Sequence, residues 1–248
     1  MSPNVLATLT TAPLRELLRA DIRLTDVFYR HKLDFCCGGH QTVAQAAKRA
    51  QAPLERVLED LEQQLRFGSG KPWAPKSGPC TSWWSTSSLI HHAYTREALT
   101  TLAPAVAKVL QKHGNMRREL DTVAELFAAL NEELQAHLQK EERVLFPYIV
   151  RLEQAAQGLP YSPAPFGTVE NPIRMMEAEH DDAGRLLEEL ADVTGQFTPP
   201  EEACNTYRFV YRRLQELDAD LRLHIHLENN ILFPRALALE QELRPTCQ

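Results

Sequence analysis

One pattern occurs twice in this chain, and it constrains the fold more than any other feature. His137 is followed by Glu141 four residues on and by Leu145-Phe146-Pro147. His224 is followed by Glu228 and by Leu232-Phe233-Pro234 at the same offsets. Residues i and i+4 share one face of an α-helix, with Cβ atoms about 5–6 Å apart. With nine histidines in the chain, chance alone supplies about one such His/Glu pair. The shared Leu-Phe-Pro at an identical offset makes the two segments related helices. Leu134, Leu138, Val144 and Leu145 around the first pair, and Leu221, Ile225 and Leu232 around the second, predict that this face points inward. A carboxylate on such a face is costly to bury unless it is paired or bound to a cation.

The rest of the chain also reads as helix. Leu, Ala, Glu, Gln and Arg dominate, Val and Ile are few, and there are only 10 Gly among 248 residues. That composition predicts an all-α protein. Apolar residues at 44% and charged residues at 24% are ordinary for a globular chain. The balance of 27 basic against 33 acidic residues, net −6, lacks the basic footprint of a nucleic-acid binder. No apolar run approaches the roughly 18 residues of a membrane span. The first residues carry no basic start and no apolar signal core. Five cysteines, two of them adjacent, are a poor disulfide framework. The expected compartment is therefore the cytoplasm. Cys80, Cys204 and Cys247 are scattered and read as structural or incidental.

Three regions follow from the punctuation. Residues 1–67 predict a small N-terminal helical domain. Leu14, Leu17, Leu18, Ile22 and Leu24 recur at near-helical spacing, followed by Val27 and Phe28. Thr42 suits a helix cap, and Pro53 opens a helix with the stripe Leu54, Val57, Leu58, Leu61 and Leu65. Between them, Gly38-Gly39 interrupts regular structure after Cys36-Cys37. Residues 68–84 form a Gly/Pro/Ser-rich linker. Residues 85–242 predict four long helices: 85–113, 117–156, one opening at Asn171-Pro172 and fading by Gly195, and one opening with the capping box Thr198-Pro-Pro-Glu201. Short connections suggest an antiparallel bundle.

The odd-numbered helices can complete a metal site. His92, His137, His180 and His224 recur near every 44 residues, the spacing four antiparallel helices need to meet at one level. Four imidazoles and two carboxylates can hold two metals if Glu141 and Glu228 bridge. Such mixed ligation suits Fe, Mn, Zn or Cu. His91 rivals His92 for the first position, and the helical register through Arg96, Glu97 and His113 favours His92. Glu133, one turn before His137, and Glu179, beside His180, are candidates for an acidic second layer or an exit path, or else exposed helix glutamates. His226, two residues from His224, is expected at the surface. His31, His40 and His113 are not expected to be ligands. Tyr94, Tyr148 and Tyr211 could face the core as hydrogen-bond partners or simply pack.

The His-x-x-x-Glu order on four helices resembles the hemerythrin-like domain. With Asp34-Phe35-Cys36-Cys37-Gly38-Gly39 in front, Met176 to Asp181 and Leu227 to Ala236, nearly the whole chain resembles the iron–sulfur cluster repair di-iron proteins of the YtfE/ScdA type. The resemblance implies two non-haem iron ions held by His92, His137, Glu141, His180, His224 and Glu228, bridged by the two glutamates and an oxo or hydroxo group. It also implies protection against nitric oxide and oxidative stress by returning iron to damaged iron–sulfur proteins. The linker departs from the pattern, being long around Lys71 to Trp84 and carrying all three Trp residues.

Cys36-Cys37 has two readings. One cysteine could simply be buried beside a Gly-Gly helix stop. Alternatively the pair takes iron from the di-metal site or serves redox exchange, since thiolates bind Fe(II) readily. A di-iron nitric oxide reductase, and a carrier or sensor of O2 or NO, are competing functions for the same site. Partners on this reading are damaged iron–sulfur proteins and small NO or O2 ligands, with no nucleic acid and no membrane. A homodimer stays open.

Overall fold

The computed structural model describes residues 3–67 and 87–244. The expected linker 68–84, Cys80, Cys247 and all three Trp lie outside the described residues. The protein is all-α: a small helical N-terminal region and an antiparallel four-helix bundle. Among the described residues no helix is long and apolar enough to cross a membrane. The chain divides into two compact units. The first comprises Met1–Gly78 with Ile225–Ile231, and the second Pro79–His224 with Leu232–Gln248.

The first unit contains α1 (Pro3–Thr11), α2 (Leu14–Ala20), a 3₁₀ turn (Ile22–Leu24), α3 (Thr25–Arg30), α4 (Val43–Arg49) and α5 (Leu54–Phe67). Leu14, Leu18, Val27, Phe28, Val43, Val57 and Leu61 form its core. The apolar spacing through Leu24 and Val27 is thus split over two helices and a turn. Asp21 makes the break, because its carboxylate caps the 3₁₀ turn at the Arg23 amide and pairs with the Arg23 guanidinium. Thr42 caps α4 in a reciprocal capping box with Gln45. On α5 the stripe holds through Leu61, whereas Leu65 is exposed at the helix end.

The second unit is built on α6 (Ala93–His113), α7 (Glu119–Lys140), α8 (Phe146–Ala156), α9 (Glu170–Val193), α10 (Asn205–Leu227) and α11 (Phe233–Leu243). Leu99, Leu102, Leu130, Leu187, Leu214 and Leu217 are part of its core. The expected helix 117–156 is α7 and α8 joined through a π-helical turn, Glu141–Leu145. The fourth expected helix likewise passes through a π turn, Glu228–Leu232, between α10 and α11. Each turn begins at the Glu of a His/Glu pair and ends just before Phe-Pro. Proline has no N–H to continue the i−4 ladder. The Phe146 N–H, one residue before the proline, reaches back five residues to the Glu141 carbonyl. Single π turns of this kind frequently mark functional sites. Val144 lies inside the first of these turns. It is 44% exposed, contrary to its expected inward position.

The fourth helix begins later than its proline signal suggests. Glu201-Glu202 form a turn, closed by the Ala203 N–H on the Pro200 carbonyl, and α10 starts at Asn205. Cys204 occupies the cap position: its carbonyl accepts from Arg208 N, and its thiol lies 3.3 Å from His113 Nε2. Of the three tyrosines, Tyr148 donates to Glu240 at 2.7 Å, Tyr211 pairs with Tyr207 at 3.1 Å, and Tyr94 lies under the Arg213 guanidinium.

Candidate metal centre

The π turn ending at His92, the last turn of α7, the middle of α9 and the last turn of α10 carry the four histidines. All are buried: His92 is 0% exposed, His137 5%, His180 2% and His224 2%, with Glu141 and Glu228 both at 0%. Their donor atoms fall into two groups. One is His92, Glu141, His224 and Glu228; the other is His137, Glu141, His180 and Glu228. Within each, the atoms lie within 4.8 Å of one another. Glu141 and Glu228 belong to both. Glu141 Oε2 is 3.2 Å from His92 Nε2 and 3.4 Å from His137 Nε2, so one carboxylate oxygen faces two imidazoles. The Nε2 atoms of His137 and His180 are 3.1 Å apart. Two imidazoles and two carboxylates in each group form a mixed N/O donor set that fits a divalent transition metal.

The two adjacent histidines point to different partners. His92 turns into the first group, while His91 turns to Asp220, with Nδ1 2.9 Å from Oδ1. The His91 ring stacks on the His224 ring with centroids 5.4 Å apart.

A second layer of carboxylates sets the imidazoles. Glu179 Oε2 lies 2.8 Å from His137 Nδ1, and Lys140 holds its other oxygen. The His137 hydrogen bond, against the opposing effect of burial, brings the Glu179 carboxyl down to about 2. Glu142 Oε1 lies 2.7 Å from His92 Nδ1, and Arg96 pairs with both Glu142 oxygens at 2.9 and 2.8 Å. Burial works to raise the Glu142 pKa, but the Arg96 and His92 hydrogen bonds outweigh it and hold the carboxyl below its usual value. A carboxylate at Nδ1 keeps the proton there and turns the Nε2 lone pair toward the shared glutamates.

Of the two glutamates singled out from the sequence, Glu179 joins this layer, whereas Glu133 is solvent-exposed. Glu142 carried no sequence signal, because its partners His92 and Arg96 are 50 and 46 residues away.

His226 overturns its expected surface position and is 0% exposed. Its Nδ1 lies 3.2 Å from Asn230 Nδ2 and 3.3 Å from the Phe35 carbonyl oxygen. The expectation failed because residues 225–231 are covered on a second face within the first compact unit. Burial lowers the His226 pKa to about 4. Cys36 is buried and Cys37 half-buried, and neither is in a disulfide.

Residues 90–236 match the family model of the hemerythrin HHE cation binding domain. Residues 10–65 match ScdA_N, described as a domain of unknown function, DUF542. The chain is 36% identical over 228 residues to the iron-sulfur cluster repair protein YtfE of Citrobacter koseri, covering 92% of this chain and 97% of that one. It is 38% identical over 229 residues to the protein of that name from Cronobacter sakazakii, again covering 92% and 97%. The Escherichia coli O157:H7 protein is 36% identical over 228 residues with the same coverage. The chain belongs to the hemerythrin-like family of YtfE-type iron–sulfur cluster repair proteins. A hemerythrin-like domain implies non-haem iron binding, and the His/Glu groups above supply residues that could hold the metal.

Proposed function

We propose that this chain holds two non-haem iron ions and repairs iron–sulfur clusters damaged by nitric oxide or oxidative stress by donating iron. The observation that carries the reading is the pair of buried donor groups that share both Glu141 and Glu228. His92 and His224 would hold one ion and His137 and His180 the other, with Glu141 and Glu228 within reach of both. Bound iron supplies the metal that a damaged cluster lacks.

The residues of the chain do the rest. Glu142 and Glu179 fix the proton on Nδ1 of His92 and His137, which leaves Nε2 as the donor. Phe233 stacks parallel to the His180 ring with centroids 6.0 Å apart, and Phe146 lies 5.6 Å from the His92 ring. These aromatic walls exclude water from the carboxylates and keep the imidazoles from rotating. Two carboxylates offset only part of the charge of two dications, which favours release over permanent retention. Cys36 and Cys37 act as thiol acceptors for iron leaving the centre. The names of the relatives and the presence of both matched domains support this reading.

The test is metal analysis of anaerobically purified protein beside Glu141→Ala, followed by iron delivery to a cluster-depleted iron–sulfur protein. About two irons per chain, lost in the variant, support the proposal. Two zincs, or no metal after loading with ferrous iron, overturn it. Replacing Cys36 and Cys37 by Ala is expected to leave iron binding intact and abolish transfer.

A further inference from the structure

Asp34, Cys36 and Cys37 bring a carboxylate oxygen and two sulfurs within 4.8 Å of one another. Asp34 Oδ1 organises the turn. It accepts the Cys37 backbone N–H at 3.0 Å and the Cys36 thiol at 3.3 Å. The turn is too tight for side chains at the next two positions. A Cβ on Gly38 would lie 2.7 Å from the Asp34 carbonyl oxygen and 2.9 Å from Asp34 Oδ2. A Cβ on Gly39 would lie 2.5 Å from Asn230 Oδ1 and 2.9 Å from the Phe35 carbonyl oxygen. From the other side, Asn230 Nδ2 donates to the Cys36 carbonyl at 2.9 Å. The two thiols and the carboxylate are thus held converging by backbone contacts on both flanks. Such convergence is not needed to end a helix.

We infer that Asp34, Cys36 and Cys37 form a second metal site, for a single thiophilic divalent cation, with Asp34 as a ligand. This rests on the iron-transfer reading above and deepens it: the acceptor is a defined three-donor site and not a bare pair of thiols. Two sulfurs and one oxygen suit Fe(II), Zn(II), Co(II) and Cd(II). Three protein donors leave coordination positions open, as a site that passes its metal on requires. Loading replaces the two thiol protons by the cation, so two protons leave for each ion bound. Two thiolates, one carboxylate and a dication sum to −1. Arg49, whose Nη1 lies 3.9 Å from Asp34 Oδ2, offsets that residual charge.

The experiment uses full-length, reduced, iron-loaded protein in which Cys80, Cys204 and Cys247 are replaced by Ser. Cd(II) is titrated anaerobically while the ultraviolet thiolate-to-metal charge-transfer absorption is followed. The His/Glu centre has no sulfur and is silent to this readout. The expected result is a band saturating at one Cd(II) per chain, reduced by half or more in Cys36→Ser and in Cys37→Ser. Asp34→Asn, whose side-chain oxygen can still accept the Cys37 N–H, is expected to keep the fold by circular dichroism and to weaken binding about tenfold or more. Asp34→Ser is the second variant and is expected to weaken binding likewise. No band at saturating Cd(II), or undiminished affinity in either folded Asp34 variant, overturns the site. The titration contains no recipient protein, so a chain that binds Cd(II) as expected but delivers no iron overturns the repair reading alone.

Discussion

Glu179 and His137 sit on different helices, 42 residues apart, with Oε2 2.8 Å from Nδ1. Lys140, three residues after His137 on α7, holds the other Glu179 oxygen. The imidazole is therefore oriented by a carboxylate that is itself held in place. Glu179→Gln keeps the size of the side chain and removes the charge. It is expected to lower iron affinity about 10- to 100-fold while leaving the helical content unchanged. Competition with a ferrous chelator measures the affinity, and wild-type affinity in the variant would remove Glu179 from the site.

Metal occupancy is expected to stabilise the bundle. A ligand that binds only the folded state contributes about 2.7 kcal/mol at a hundredfold excess over its dissociation constant. Ferrous iron is expected to raise the thermal midpoint of the wild-type protein and to leave that of Glu141→Gln nearly unchanged, because Glu141 belongs to both donor groups. Calorimetry under anaerobic conditions with and without iron gives the comparison. An equal rise in both proteins would count against a shared Glu141.

Gly39 and Gly184 are expected to respond in opposite directions to alanine. At Gly39 the new Cβ meets Asn230 Oδ1 at 2.5 Å and backbone oxygen at 2.9 Å. Overpacking of that kind costs about 1–3 kcal/mol. Gly184 lies inside α9 with nothing within 4 Å of a new Cβ, so alanine there stabilises by about 0.5–1 kcal/mol. Urea unfolding of the two variants reads both signs.

Asp60 links the first unit to acid pH. Its carboxylate lies 2.9 Å from His31 Nε2, and that hydrogen bond, with Arg30 and Arg56 nearby, holds its pKa below the usual 3.8 against the effect of burial. A depressed folded pKa means stabilisation that is complete above the unfolded value and is lost as pH falls through the folded one. Asp60→Asn is expected to destabilise the protein at neutral pH by about 1–3 kcal/mol. It is also expected to flatten the decline in stability below about pH 4. Denaturation at pH 7 and at pH 3 tests this. An unchanged difference between the two pH values would exclude Asp60 as the titrating group.

Much of the architecture and the inner ring of the site is written in local spacing. The four-residue step from His137 to Glu141 and from His224 to Glu228 puts each pair on one helix face whatever surrounds it. The near-regular interval between His92, His137, His180 and His224 follows from helix length and short connections. Thr42 and Gln45 form their capping box from a signal three residues long. These features depend on contacts within a few residues, so the amino-acid order alone determined them.

What lies between distant segments was decided only by the tertiary structure. Glu142 reaches His92 across 50 residues, His91 turns to Asp220 across 129, and Asn230 grips the Cys36 carbonyl across 194. The burial of His226, expected at the surface, has the same origin. Helical periodicity describes one face of a helix and is blind to a second element that covers another. Val144, expected to face inward, is 44% exposed inside the π turn Glu141–Leu145, where the Phe146 N–H reaches back five residues to Glu141 and the helix is locally wider. A spacing rule built on 3.6 residues per turn cannot register that local change. The chain order thus determined which side chains could bind a metal, and long-range packing decided which carboxylates orient them.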